Sequence, residues 1–227
     1  MYIGFVGVSG AGKSTIAHVV CDELIARGYT VGYYSPFFSP GRSIWYKAMW
    51  ALYLWRWLDV RLLYFFVWQR QPHWVLRQVV WNAYLSLIMS HYLSLHEKDV
   101  YDVVIYDEDI IKWCARAVAS DAVAADTVAH VYQDKIMSVT TDALVVTVDT
   151  PISQSVERFI ARAENAHRSK SSVRAEQVEL KDAASELASM VATETDAVAV
   201  VVDGTESPVE NAELIVATVE EKLADRG

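Results

Sequence analysis

Apolar positions along the chain follow two rhythms. Five short runs are apolar almost throughout: Tyr2–Val8, Thr30–Tyr34, Val100–Tyr106, Ala143–Val148 and Ala197–Val202. Runs of that length without a polar alternate predict strands buried on both faces, as in a parallel sheet. Between them the spacing turns helical. Lys13–Arg27 carries Ile16, Val19, Val20 and Leu24 at helical intervals and stops at Gly28. A helix or helix pair is expected over 110–138, a helix from Ser153 to about Arg162, another over 175–192 and a closing one over Pro208–Ala224. The polar stretch 165–174 reads as an interruption. Two longer helices, Arg42–Trp68 and Trp74–His96, are apolar nearly all round and are joined by a polar breaker at 69–73. Strands alternating with helices predict one α/β domain over 1–227, a three-layer sandwich with a helical elaboration inserted at 42–97.

Composition agrees with a packed domain: 53% of the 227 residues are hydrophobic, with only 9 glycines and 5 prolines. The two cysteines, Cys21 and Cys114, lie far apart, which suits a reducing compartment and excludes a disulfide framework or zinc-ligand spacing. MYIGFVGVSG has no basic segment before its apolar run, so it is expected to be a strand rather than a secretory leader. The net charge of −9 is uneven: residues 1–100 carry 9 Lys/Arg against 5 Asp/Glu, and residues 101–227 carry 11 against 24. The basic half attracts anions. No basic cluster or nucleic-acid motif accompanies it, so nucleic acid is not an expected partner.

The first strand is followed by G7-V-S-G-A-G-K-S14, which fits G-x-x-x-x-G-K-[ST] at every fixed position. Gly7, Gly10 and Gly12, with Ser9 and Ala11 between them, let main-chain amides curl around phosphate oxygens. Lys13 reaches the β- and γ-phosphates, the Ser14 hydroxyl is placed for Mg²⁺, and Thr15 opens the helix whose positive end faces the anion. Asp107 ends the third strand, where a carboxylate can hold Mg²⁺ through water; Glu108 and Asp109 adjoin it. Arg158 and Arg162 are four apart, one helix face, and Arg168, Lys170 and Arg174 follow in the polar stretch. Together they suit a flap over 164–174 that neutralises a migrating phosphoryl group.

These pieces, in this order, resemble the P-loop kinases of small metabolites, above all the thymidylate kinase-like branch of nucleoside and nucleotide kinases. The matching segments are G-V-S-G-A-G-K-S-T, V-V-I-Y-D at the third strand, V-T-V-D-T-P-I-S-Q-S-V-E-R-F-I-A-R before the flap, and V-V-V-D-G-T-E-S-P-V-E-N-A-E-L-I near the end. The resemblance implies a five-stranded parallel sheet of order 2-3-1-4-5, a lid over ATP, and an acceptor pocket built from the middle helices. Two departures stand out. The branch usually has Asp-Arg after the third strand, where this chain has Asp107-Glu108, and its acidic-Pro-Gly loop is replaced by S35-P-F-F-S-P-G-R42. Arg42 and Arg77 are substitutes for the missing acceptor-side cation. A carboxylate in that position favours an acceptor hydroxyl over an acceptor phosphate.

Seven of the eight tryptophans fall between Trp45 and Trp81, and residues 42–81 hold six Lys/Arg against Asp59 alone. Three roles are open to this stretch. A membrane span has the length but would bury Arg56, Asp59 and Arg61. Packing against the sheet and a second copy of the chain uses the aromatics and arginines that interfaces favour. Contact with a membrane surface or a lipid-like acceptor uses the same residues at headgroup level. The function expected is an ATP- and Mg²⁺-dependent phosphotransferase acting on a small or lipid-like acceptor, in the cytoplasm or peripherally at the inner face of the membrane. A nucleoside monophosphate (dTMP-type) kinase, an NTP hydrolase using Asp107-Glu108, and a non-catalytic nucleotide-binding module are the alternatives.

Overall fold

The computed structural model describes residues 1–34, 100–107, 111, 115, 142–162, 165, 167–195 and 197–224. In chain order these give β1 (Tyr2–Val6), α1 (Lys13–Ala26), β2 (Val31–Tyr34), β3 (Val103–Tyr106), β4 (Ala143–Asp149), α2 (Ile152–Ile160), α3 (Lys170–Glu194), β5 (Val198–Asp203) and α4 (Pro208–Ala224). The helical pair expected over 42–97, Arg42 and Arg77 within it, and most of the helix expected over 110–138 lie outside the described residues. Among the described residues no helix is long and apolar enough to cross a membrane.

All pairings are parallel and the strand order is β2-β3-β1-β4-β5, as expected. The register runs Ile3 beside Ile105 on one side and beside Leu144 on the other. Every residue of β1 and β3 is buried, which is why these strands carry no polar alternate. Ile3, Phe5, Val103, Ile105, Leu144 and Val146 form one core with Ile16, Val20 and Leu24 of α1 and Ile215, Val216 and Val219 of α4. The remaining positions of β1 face the other way by the two-residue period of a strand, and α3 packs on β1, β4 and β5. The sheet is therefore the middle of three layers.

Strand and helix limits differ from the sequence reading where side chains satisfy the backbone locally. β3 begins at Val103 rather than Val100 because Asp102 is engaged otherwise. Its Oδ2 accepts from the Thr30 amide (2.7 Å) and hydroxyl (2.6 Å), while its own amide donates to Thr30 Oγ1 (2.9 Å). That reciprocal pair locks the start of β2 to the start of β3 and holds the Asp102 carboxyl below its usual range. Likewise α3 begins at Lys170 and not near 175. Ser169 caps it, Oγ accepting from the Ser172 amide at 3.3 Å.

Candidate active site

β1 ends at Val6, and Gly7–Gly12 form a tight loop leading into α1. Two glycines in it are required by geometry. Gly12 is the residue before the helix and has φ 103°, a left-handed conformation that costs a side-chain residue about 1–2 kcal/mol. Gly10, with φ 89°, lies so close to α2 that a Cβ would run into the Ser155 carbonyl oxygen and stand 3.2 Å from the Phe159 amide nitrogen. Gly12 makes no side-chain cap and the first turn of α1 contains no acid. An α-helix offers its first-turn amides no acceptor inside the helix, so they and the positive helix pole are directed at whatever lies in the loop. Ser14 and Thr15, in that first turn, are exposed.

Two side chains from neighbouring segments brace the loop and a third stands beside it. Thr150 Oγ1, just past β4, donates to the Ala11 carbonyl at 2.9 Å. Gln177 of α3 donates to the Ser9 carbonyl at 2.9 Å. Arg158 of α2 donates to the Gly204 carbonyl at 3.1 Å, and its Nη1 is 3.9 Å from where a Cβ on Gly12 would stand. Lys13 is only 5% exposed, and its ammonium donates to the carbonyls of Gly7 (3.0 Å) and Val8 (2.9 Å). These dipoles help offset the cost of burying the charge.

Asp107 stands at the end of β3 and is 3% exposed. Its Oδ2 accepts from the Tyr33 hydroxyl at 3.2 Å, and its Oδ1 has no hydrogen-bond partner among the described residues. Burial, followed by the Asp107 charge, pushes the Tyr33 phenol far above its ordinary range, so it stays protonated and remains a donor. Tyr33 Oη is also 3.0 Å from His18 Nδ1, which lies 2.6 Å from the Ser14 carbonyl oxygen.

Magnesium takes hard oxygen ligands and is commonly held by one or two protein oxygens together with substrate phosphates. The orphaned, buried Oδ1 of Asp107 and the exposed Ser14 hydroxyl fit that requirement. Glu108 and Asp109 lie outside the described residues.

The basic residues separate into two sets. Arg158 reaches the loop. Arg162 does not share its helix: α2 ends at Ile160, where the chain tightens so that the Arg162 amide donates to the Phe159 carbonyl at 3.4 Å. Arg162 stands exposed just beyond the helix. Arg168 pairs with Glu176 at 2.7 Å and stacks its guanidinium on Phe159, 5.6 Å from the ring centroid. Lys170 and Arg174 ride on the first two turns of α3, exposed. Residues 163, 164 and 166 of the expected flap lie outside the described residues.

Tyr33, Thr150 and Gln177 were not singled out from the sequence. A signal existed for two of them. Tyr33 pairs with Ile105 and so comes near the C-terminal end of β3, where a parallel sheet gathers its chemistry. Gln177 lies in the stripe Val173, Gln177, Leu180, Ala184, Leu187, Val191, all buried, and is its one polar member.

A parallel sheet of this strand order, with a glycine loop and a lysine between β1 and α1, is the P-loop arrangement expected from the sequence. No family model matches the chain, and no curated protein matches it by sequence. Solved structures do match. Deoxyadenosine kinase from M. mycoides with bound dCTP aligns over 97% of this chain and 100% of that one, at 16% identity and a TM-score of 0.48. The same enzyme with bound dATP aligns over the same shares at 14% identity and a TM-score of 0.49.

Proposed function

We propose that this chain is an ATP- and Mg²⁺-dependent phosphotransferase that moves the γ-phosphoryl group to a hydroxyl of a small-molecule acceptor. The observation that carries this reading is a convergence on one loop. The uncapped start of α1, the buried Lys13 ammonium and the Arg158 guanidinium all meet at Gly7–Gly12. Each is a positive group, and together they suit the tail of a nucleoside triphosphate.

In the reaction the acceptor oxygen bonds to the γ-phosphorus as the bridging oxygen leaves with ADP. Lys13 and the loop amides hold the β- and γ-phosphates in line for that displacement. Arg158 stabilises charge as it spreads over the migrating group. The acceptor's proton passes to Glu108 or Asp109, the carboxylates that follow Asp107 in the sequence. Ser14 and Asp107 would hold Mg²⁺, which would supply charge neutralisation at the phosphates. The acidic end of β3 supports a hydroxyl acceptor, since a second negative charge would repel an acceptor phosphate.

The test is transfer of radiolabel from γ-labelled ATP to a panel of nucleosides, nucleoside monophosphates, sugars and isoprenoid alcohols, with and without lipid vesicles. Label on a hydroxyl acceptor is the expected result. Label on a monophosphate alone overturns the acceptor assignment. Phosphate released to water at the same rate with and without every acceptor makes the chain a hydrolase instead.

A further inference from the structure

Two side chains, His18 and Tyr33, link the helix that starts at the phosphate loop to the carboxylate at the end of β3. The Ser14 carbonyl oxygen can only accept, so His18 Nδ1, 2.6 Å away, carries a proton. That nitrogen also lies 3.0 Å from Tyr33 Oη, and the two rings sit 4.4 Å apart at 41°. Tyr33 has one proton to give. The carboxylate 3.2 Å away accepts it, because an ionised Asp107 can only accept. The two outer bonds are thus fixed and point outward, His18 Nδ1 donating to the Ser14 carbonyl and Tyr33 to Asp107 Oδ2, so between the two rings the Nδ1 proton is shared with Tyr33 Oη. Asp107 Oδ1 is the oxygen left over, buried and without a partner among the described residues.

We propose that Tyr33 is a positioning residue: by occupying Oδ2 and anchoring through His18 to the first turns of α1, it presents Asp107 Oδ1 to the divalent cation that accompanies the nucleotide. This rests on the phosphotransferase reading. A carboxylate held at one oxygen has little rotational freedom left to lose when the other takes a ligand, so the ordering cost is met before the cation arrives. Partners that hold a ligating carboxylate in this way are commonly worth 10–100-fold in metal affinity. Anchoring to the Ser14 carbonyl also ties Asp107 to the residue whose hydroxyl is the other oxygen expected to meet the cation.

The experiment measures ATP binding to the full-length chain by calorimetry, once in EDTA and once in excess Mg²⁺, for the wild type, Tyr33→Phe, Asp107→Asn and the double variant. Tyr33→Phe keeps the ring against His18 and removes only the hydroxyl. The expected result is unchanged affinity in EDTA and a gain from Mg²⁺ that is about tenfold smaller than in the wild type. The double variant is then no worse than Asp107→Asn, since the two residues act through one carboxylate. An undiminished Mg²⁺ gain in Tyr33→Phe overturns the inference and leaves the phosphotransferase reading standing. Affinity lost in both arms makes Tyr33 a structural residue and overturns it too. A wild-type chain that binds ATP without any gain from Mg²⁺ refutes the positioning role, and one that binds no ATP refutes both readings.

Discussion

Helices α1 and α3 begin in opposite ways. Each has four amides with no acceptor inside the helix. α3 answers with Ser169, whose hydroxyl takes the Ser172 amide, and it packs Val173 immediately behind the cap. α1 answers with Gly12, which has no side chain to offer, and with a first turn free of acid. A helix needed only for packing settles its own terminus, whereas one that serves a ligand leaves the terminus open. Openness alone does not make a site. α2 also begins without a side-chain cap, after Pro151, and its first turns close against Gly10. What distinguishes α1 is that the open terminus coincides with a buried ammonium and a loop that admits no side chain at Gly10.

The comparison can be broken most severely by giving α1 a cap of its own. Gly12→Asp places a carboxylate where the phosphates are expected and forces a side-chain residue to φ 103°. MgATP affinity should fall by about a hundredfold or more, since a like charge replaces an open anion site. Calorimetry reads the affinity, and circular dichroism checks that the sheet persists. Arg158→Ala should act less strongly. It removes the cation beside Gly12 and the bond to the Gly204 carbonyl, and the transfer rate should fall by about 10–100-fold with a smaller change in KM. Equal loss in both would mean that Arg158 serves binding alone.

Ser169→Ala is the matching change at the closed terminus. It should cost about 1 kcal/mol of stability in urea unfolding and leave nucleotide affinity within about twofold. The smallest effect belongs to the clamp between β2 and β3. The Asp102 carboxyl lies below its ordinary value in the folded chain, so its contribution is present above about pH 4 and is lost as pH falls through the folded value. Thr30→Val keeps the amide donor and removes the hydroxyl. The stability gap between wild type and variant should be a fraction of a kcal/mol at neutral pH, because Asp102 is exposed, and should close in acid. A gap independent of pH would assign the loss to packing.

What the sequence made legible follows the same division. Five apolar runs sufficed for the number of strands and their parallel pairing, because burial on both faces leaves a contiguous signature, whereas the strand order came with the family resemblance. Arg158 was recognisable by its place before the basic stretch. The start of α3 was obscured because Ser169, Lys170, Ser171 and Ser172 look like a polar linker, while the buried stripe from Val173 to Val191 is interrupted by Gln177. That glutamine is buried because it serves the Ser9 carbonyl, a partner 168 positions away. Tyr33 was missed for the same reason: it meets Asp107 across 74 positions and two neighbouring strands. Helix α2 was expected to reach about Arg162 and ends at Ile160, where the Arg162 amide turns to the Phe159 carbonyl. Non-local polar partners leave no periodic trace.

The central claim is that the open start of α1 and the Lys13 ammonium hold the phosphates of a nucleoside triphosphate. Calorimetric titration of MgATP into the wild-type chain and into Lys13→Ala tests it most directly. Saturable heat at one site per chain, weakened by about a hundredfold or more in the variant whose circular dichroism is unchanged, is the predicted result. Equal heats for the two proteins, or none for the wild type, would contradict it.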